Sequence, residues 1–235
     1  SGDSVQVYRE LNIGSAKTTS TEQQGIPHHL IDCCSIKEHY TVFDFQTQGR
    51  KLIETISTSG KLPVIAGGTG LYIKALLYDY QFPPQVSEKP NLQHYSNQEL
   101  WDFINLQDPV AAQKVHVNNR QRLETNFWLL QQLKDTNKST MLQQQLHEPL
   151  YDMLIIGLTM DRQLLYQRIN QRVDIMIETG LEQEIRNLLE VPELFNLQAM
   201  QAIGYKEFSD YFMGSSTMEA TIAKIKQNSR RYAKR

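Results

Sequence analysis

Only a few residues of this chain join a reactive type to a setting suited to chemistry. The first lies in Ser1-Gly2-Asp3-Ser4-Val5-Gln6-Val7-Tyr8, where Asp3 is a lone carboxylate beside the Ser4 hydroxyl and the Gln6 amide. In a polar pocket such a carboxylate serves as a general base, with Ser4 and Gln6 meeting an incoming base or phosphate. After a glycine, the same Asp is also a common turn cap. Thr69, in Gly67-Gly68-Thr69-Gly70-Leu71-Tyr72, carries a similar pair of readings: helix N-cap, or a hydroxyl turned into a ligand crevice. The glycines around it permit a tight turn. Asn118-Asn119-Arg120-Gln121-Arg122 is a polar stretch ahead of a helix and reads by itself as a capped, solvated turn.

Basic residues gather at the far end. Lys224, Lys226, Arg230, Arg231, Lys234 and Arg235 occur with no acid among the last twelve residues. A charge run is usually a solvated face, but it can also neutralise phosphates. Arg168 and Arg172 share a helix face at i, i+4 spacing and either face a crevice or pair with acids. His28 and His29 alternate faces on an extended chain, so they do not share an ion and read as structural. Trp128 reads as core rather than as a base-stacking platform.

These residues need elements to position them. Residues 29–32 form a short apolar strand candidate. Residues 41–59 read as a helix carrying Phe43, Phe45, Leu52, Ile53 and Ile56, with Gly60 as its C-terminal stop. The run 62–66 is apolar enough for a buried parallel strand, followed by a Gly-Gly turn and a helix over 71–77. Strand, glycine turn and helix in that order characterise doubly wound α/β proteins, whose ligands sit at the carboxyl ends of strands. Pro83, Pro84 and Pro90 then break the pattern, and Gln-rich amphipathic segments run to about 148, with 143–145 a solvated face. Residues 153–158 read as a returning strand. Asp161 caps a helix with Leu165, Ile169, Val173 and Met176 on one stripe; Gly180 interrupts it, and 181–190 and 217–235 continue as helices. The domains follow: an α/β core over 1–82 and 149–235, with an inserted helical subdomain over 83–148.

With 235 residues, 40% of them apolar, the chain can bury a substantial core. Its net charge of −2 gives no global attraction to nucleic acid, so any RNA contact needs a local basic surface. The two cysteines, Cys33 and Cys34, are adjacent. Neighbouring Cα atoms lie about 3.8 Å apart, too close for ordinary disulfide geometry, which makes both free thiols. No leader and no membrane-length apolar run is visible, and a cytoplasmic protein is expected.

Several blocks in one order carry a resemblance: Ser1 to Tyr8, Gly25-Ile26-Pro27-His28-His29-Leu30-Ile31-Asp32, Ala66 to Tyr72, and Ser229-Arg230-Arg231-Tyr232-Ala233-Lys234-Arg235. Together they resemble the tRNA dimethylallyltransferases. The resemblance implies a P-loop NTPase-like α/β fold with a parallel sheet and a nucleotide-binding type of phosphate loop. The loop's Gly-x-x-x-x-Gly-Lys-[Ser/Thr] pattern does not occur in the 235 residues, and the expectation is that it precedes Ser1 in a longer protein. The implied reaction moves a dimethylallyl group from dimethylallyl diphosphate to N6 of an adenine beside the tRNA anticodon, with Mg²⁺ as cofactor. Asp3 would be the catalytic base. Asp3, Ser4, Val5, Gln6, Thr69, Gln121, Arg122 and Thr125 would contact the tRNA anticodon stem-loop, and Arg230 and Arg235 the diphosphate. Thr125 stands where the family's Gln-Arg-x-x-Arg block has its second Arg. Two other functions fit parts of the pattern: a nucleotide kinase-like phosphotransferase on the same fold, and a non-catalytic RNA-binding module.

Overall fold

A computed structural model describes residues 1–80, 82, 91–132 and 148–234. Pro83, Pro84, Pro90, residues 143–145 and Arg235 lie outside them. The chain divides into two compact units, Ser1–Leu76 with Asp152–Arg235, and Leu77–Tyr151.

In the first unit, α1 (Val42–Thr58) begins with a capping box: the Thr41 hydroxyl accepts from the Asp44 N–H, and the Asp44 carboxylate accepts from the Thr41 N–H. It ends in a Schellman turn. Gly60 adopts φ +73°, the Gly60 N–H donates to Ser57 O, and the Lys61 N–H donates to Ile56 O. α2 (Gly70–Leu77) follows the glycine turn. After the second unit come α6 (Arg162–Glu178), capped by Asp161, then α7 (Leu181–Arg186), α8 (Phe208–Phe212) and α9 (Met218–Lys234). Tyr205, Phe208, Leu181, Ile185 and Ile225 are all 1% exposed or less and form part of this unit's interior.

The second unit holds α3 (Asn97–Gln107), α4 (Pro109–Gln113) and α5 (Arg120–Gln132). Leu100, Ile104, Ala112, Leu123, Phe127 and Leu130 belong to one core cluster, against which Trp101 packs. The Trp101 indole N–H reaches the carbonyls of Ala112 and Val115, both at 3.2 Å, so its polar edge is satisfied where its ring is buried.

Four expectations change. Residues 29–32 are not a strand, because Leu30 (φ +60°) and Asp32 (φ +57°) are left-handed. A parallel bridge forms instead one step later, between Tyr8 and Cys34. The apolar runs at 62–66 and 153–158 carry no strand pairing among the described residues. Leu62, Val64, Leu154, Ile156 and Leu158 are 75–95% exposed. The pattern of a buried strand is present, but burial needs a neighbouring strand on either side. The described residues are therefore helical, with two isolated bridges and no ladder. α7 stops at Arg186 rather than running to 190. His28 and His29 are both exposed, although the His28 ring nitrogen meets Ile26 O at 2.8 Å. Among the described residues no helix is long and apolar enough to cross a membrane.

Candidate functional site

In the first unit the opening loop is stitched to the glycine turn, backbone to backbone. The Gly2 N–H donates to Ala66 O at 2.7 Å and the Thr69 N–H donates to Gly2 O at 3.1 Å. A Cβ on Gly67 would lie 2.4 Å from the Gly2 carbonyl carbon, so glycine there allows the two segments to touch. Thr69 serves both segments. Its carbonyl accepts the Ile73 N–H at the start of α2, while its hydroxyl accepts the Ser4 N–H at 3.0 Å and donates to the Ser4 hydroxyl at 3.2 Å. The Thr69 side chain is thus a bridge to Ser4.

Asp3 is half-buried in this loop. Its Oδ1 accepts the N–H groups of Val5 at 2.7 Å and Gln6 at 3.3 Å, an Asx turn that fixes the carboxylate's orientation. The turn-cap reading is therefore real, and it occupies Oδ1, while Oδ2 accepts no hydrogen bond among the described residues. Val5 takes part through its backbone. Gln6 is engaged at both ends: its Oε1 accepts from the Ser1 hydroxyl at 2.8 Å, and its Nε2 donates to the carbonyls of Ser15 and Ala16. Nearby, burial pushes the Tyr8 hydroxyl up to about 12 and raises that of Tyr72 on α2.

α9 approaches the same turn. The Tyr232 hydroxyl, to which the sequence reading gave no role of its own, donates to Gly68 O at 3.5 Å. Arg230, two residues earlier, donates to the Asn170 side chain on α6 and is half-buried. The basic run does not form one free cationic face. Lys224 pairs with Asp210 and Lys226 with Asp174, so those two charges are neutralised within the fold. Arg168 and Arg172 are exposed on α6.

Two further residues shape this unit and have no sequence signature. Glu184 on α7 accepts the backbone N–H groups of Asn12 and Ile13 at 3.0 and 2.8 Å and the Tyr205 hydroxyl at 2.7 Å. Lys17, its side chain 6% exposed, donates to the Tyr8 carbonyl at 2.8 Å and pairs with Asp32 at 2.6 Å. Both bind loop backbone, which periodicity does not report.

The remaining candidates lie in the second unit. Asn119 is the N-cap of α5, its Oδ1 accepting the Arg122 N–H at 3.2 Å. Gln121, Arg122 and Thr125 are therefore in the first turns of a helix, exposed on one face. They line a groove of about 510 Å³ together with Asn126 and with Val110 and Lys114 from the α4 region. The neighbouring Arg120 is structural: it donates to the Leu92 and Tyr95 carbonyls and pairs with Glu124. Trp128 is half-buried. Among the described residues, no three His, Cys, Asp or Glu side chains group to hold a metal ion.

A sequence profile of the IPP transferase family matches residues 6–235. The tRNA dimethylallyltransferase of Enterococcus faecalis is 46% identical over 100% of this chain and 77% of its own length. That of Bacillus subtilis is 43% identical over 100% of this chain and 76% of its own length. The chain thus spans about three quarters of these relatives. Among solved structures, a Staphylococcus epidermidis tRNA delta(2)-isopentenylpyrophosphate transferase shares 40% identity with a TM-score of 0.68, covering 99% of this chain and 78% of that one. A eukaryotic dimethylallyltransferase acting on tRNA shares 29% identity with a TM-score of 0.84, covering 99% of this chain and 60% of that one. This chain belongs to the IPP transferase family, the family of the tRNA dimethylallyltransferases.

Proposed function

We propose that this chain transfers a dimethylallyl group from dimethylallyl diphosphate to the N6 amine of an adenine beside a tRNA anticodon, with Asp3 as the base. The observation that carries the base role is the split duty of its carboxylate: Oδ1 is pinned by Val5 and Gln6, and Oδ2 is left to accept a proton. An exocyclic adenine amine is a weak nucleophile because its lone pair is delocalised into the ring. As the N6–C1 bond forms, the C1–O bond to diphosphate breaks and the N6 proton passes to Asp3, so positive charge does not accumulate on nitrogen. The Ser4–Thr69 pair holds the loop that carries the base. An adenine in a single-stranded loop can leave its stack at little cost to reach the site.

Diphosphate departure needs donors and cations. Arg230 and Arg235 are our candidates on this chain, Arg235 lying outside the described residues. For the Mg²⁺ implied by the resemblance, no three His, Cys, Asp or Glu side chains group among the described residues, and such an ion would take substrate phosphates among its ligands. We route no step through it. The tRNA contacts are assigned to Asp3, Ser4, Val5, Gln6 and Thr69 in one unit and to Gln121, Arg122 and Thr125 in the other. The apolar runs at 62–66 and 153–158 suit strands of a P-loop-like parallel sheet, and a cytoplasmic location suits a tRNA substrate.

The kinase-like and non-catalytic alternatives are set aside, because the relatives matched across this whole chain are tRNA dimethylallyltransferases. The deciding assay supplies tRNA with isotopically labelled dimethylallyl diphosphate in one arm and γ-labelled ATP in the other. Label is expected in tRNA from the prenyl donor alone. Phosphate transfer without prenyl transfer would overturn the assignment.

A further inference from the structure

The groove beside α5 contains a cation that the sequence pattern does not announce. Gln121, Arg122, Thr125 and Asn126 present one contiguous helical face, at i, i+1, i+4 and i+5. Thr125 cannot add a charge, and its hydroxyl proton is already given to Gln121 O at 2.8 Å. Across the groove, Lys114 ends α4.

Two charged neighbours of this face, Arg120 and Asp108, are spent on the fold. Arg120 is consumed by carbonyls and Glu124. Asp108, the acid lining the groove, is 7% exposed, and its Oδ1 is fixed by the Val110 and Ala111 N–H groups at 3.1 and 3.0 Å. Its charge is thereby directed into the helix start rather than the groove. Lys114 and Arg122 differ: both are exposed, and neither side chain meets an acid or carbonyl among the described residues. Two uncommitted cations on two helices therefore flank an apolar strip that includes Val110, 44% exposed, within a chain whose net charge is −2. A cationic groove on an acidic chain attracts a polyanion locally. The amide side chains of Gln121 and Asn126 add neutral donors and acceptors suited to ribose and base edges.

We propose that Lys114 and Arg122 form a two-cation clamp on the RNA phosphate backbone, with Lys114 supplying from α4 the second positive charge that position 125 lacks. This rests on the tRNA reading above. Each cation neutralises a phosphate and releases its counterion on binding, so each has its own signature in the salt dependence.

The test measures the affinity of the full chain for a tRNA transcript from about 0.05 to 0.3 M KCl, a range over which phosphate contacts dominate the change. Wild type is compared with Lys114→Gln, Arg122→Ala, the double variant and Lys114→Arg, with thermal melts to confirm folding. Each neutral single variant is expected to lower the slope of log K against log salt by about 0.7–0.9, and the double variant by about twice that. Lys114→Arg should keep the wild-type slope. Thr125→Arg placed on Lys114→Gln should recover it. If Lys114→Gln keeps the wild-type slope while Arg122→Ala lowers it, the clamp is wrong and the tRNA reading stands. If no variant changes the slope while prenyl transfer to tRNA persists, RNA does not use this groove. If wild type neither binds nor modifies tRNA, the functional reading itself fails.

Discussion

In the proposed mechanism Asp3 carries two jobs on one side chain, and a substitution can separate them. Asparagine keeps the Oδ1 that accepts the Val5 and Gln6 N–H groups but puts a nitrogen where a proton would be received. Asp3→Asn should therefore cut the single-turnover rate of prenyl transfer by about 10² or more, with tRNA affinity changed far less. A rate near wild type would remove Asp3 from the chemistry. The adjacent cysteines make a second contrast. Cys33 is exposed, while Cys34 is 6% exposed and burial pushes its thiol up to about 11. At about pH 8, iodoacetamide should add once per chain, at Cys33, with Cys34 at least about 10-fold slower. Mass spectrometry of the peptides reads this directly. The raised Cys34 value also has a sign for stability. The folded protein keeps the proton when the unfolded chain, with an ordinary thiol value of about 8.5, has released it. The contribution is therefore complete below about pH 8.5 and is lost as pH climbs to about 11. Tyr8, pushed up to about 12, acts in the same sense at higher pH. The melting temperature should fall steadily from pH 9 to 11.

At the element scale, the glycine turn works by contact rather than by flexibility alone. Gly67 lies against the Gly2 backbone, whereas a Cβ on Gly68 would meet nothing within 4 Å. Gly67→Ala should separate the opening loop from the turn, costing about 1–3 kcal/mol and reducing transfer with it. Gly68→Ala, one residue away, should stay close to wild type in thermal melts and rate. Equal effects from the two would mean that the turn's own conformation, and not its packing on Gly2, matters. Helix α1 offers a simpler case: Thr41→Ala removes one half of a capping box and should cost about 1 kcal/mol.

Across the whole molecule, the proposed chemistry and much of the proposed RNA contact fall in different compact units. Asp3 and Arg122 share no hydrogen-bond partner. Arg122→Ala should weaken tRNA binding and lower its salt slope by about 0.7–0.9, leaving the affinity for dimethylallyl diphosphate unchanged. Combined with Asp3→Asn, its effect on transfer at low tRNA should multiply, because residues that share no partner and act on separate steps, binding and chemistry, are additive in free energy. A double variant no worse than Asp3→Asn alone would show that the two residues act at one step.

Local rules reached the features whose causes are local. Thr41, Gly60 and Asp161 mark helix ends because caps satisfy backbone groups within a few residues. The blocks around Asp3, Thr69 and Arg230 were enough to identify the family, since residue types in a fixed order survive without coordinates. Three matters needed the tertiary structure. Thr69 meets Ser4 across 65 residues of sequence, a contact made by chain crossing and not by spacing. Leu30 and Asp32 are turned left-handed in a segment that Lys17 grips through the Asp32 carboxylate, which no strand propensity foresees. The basic run looked like a free surface until Asp210 and Asp174 arrived from other helices to pair with Lys224 and Lys226, while Lys114, an unremarked lysine, was left uncommitted. Whether a charge is spent or available depends on what the fold brings beside it, and a linear pattern holds no record of that.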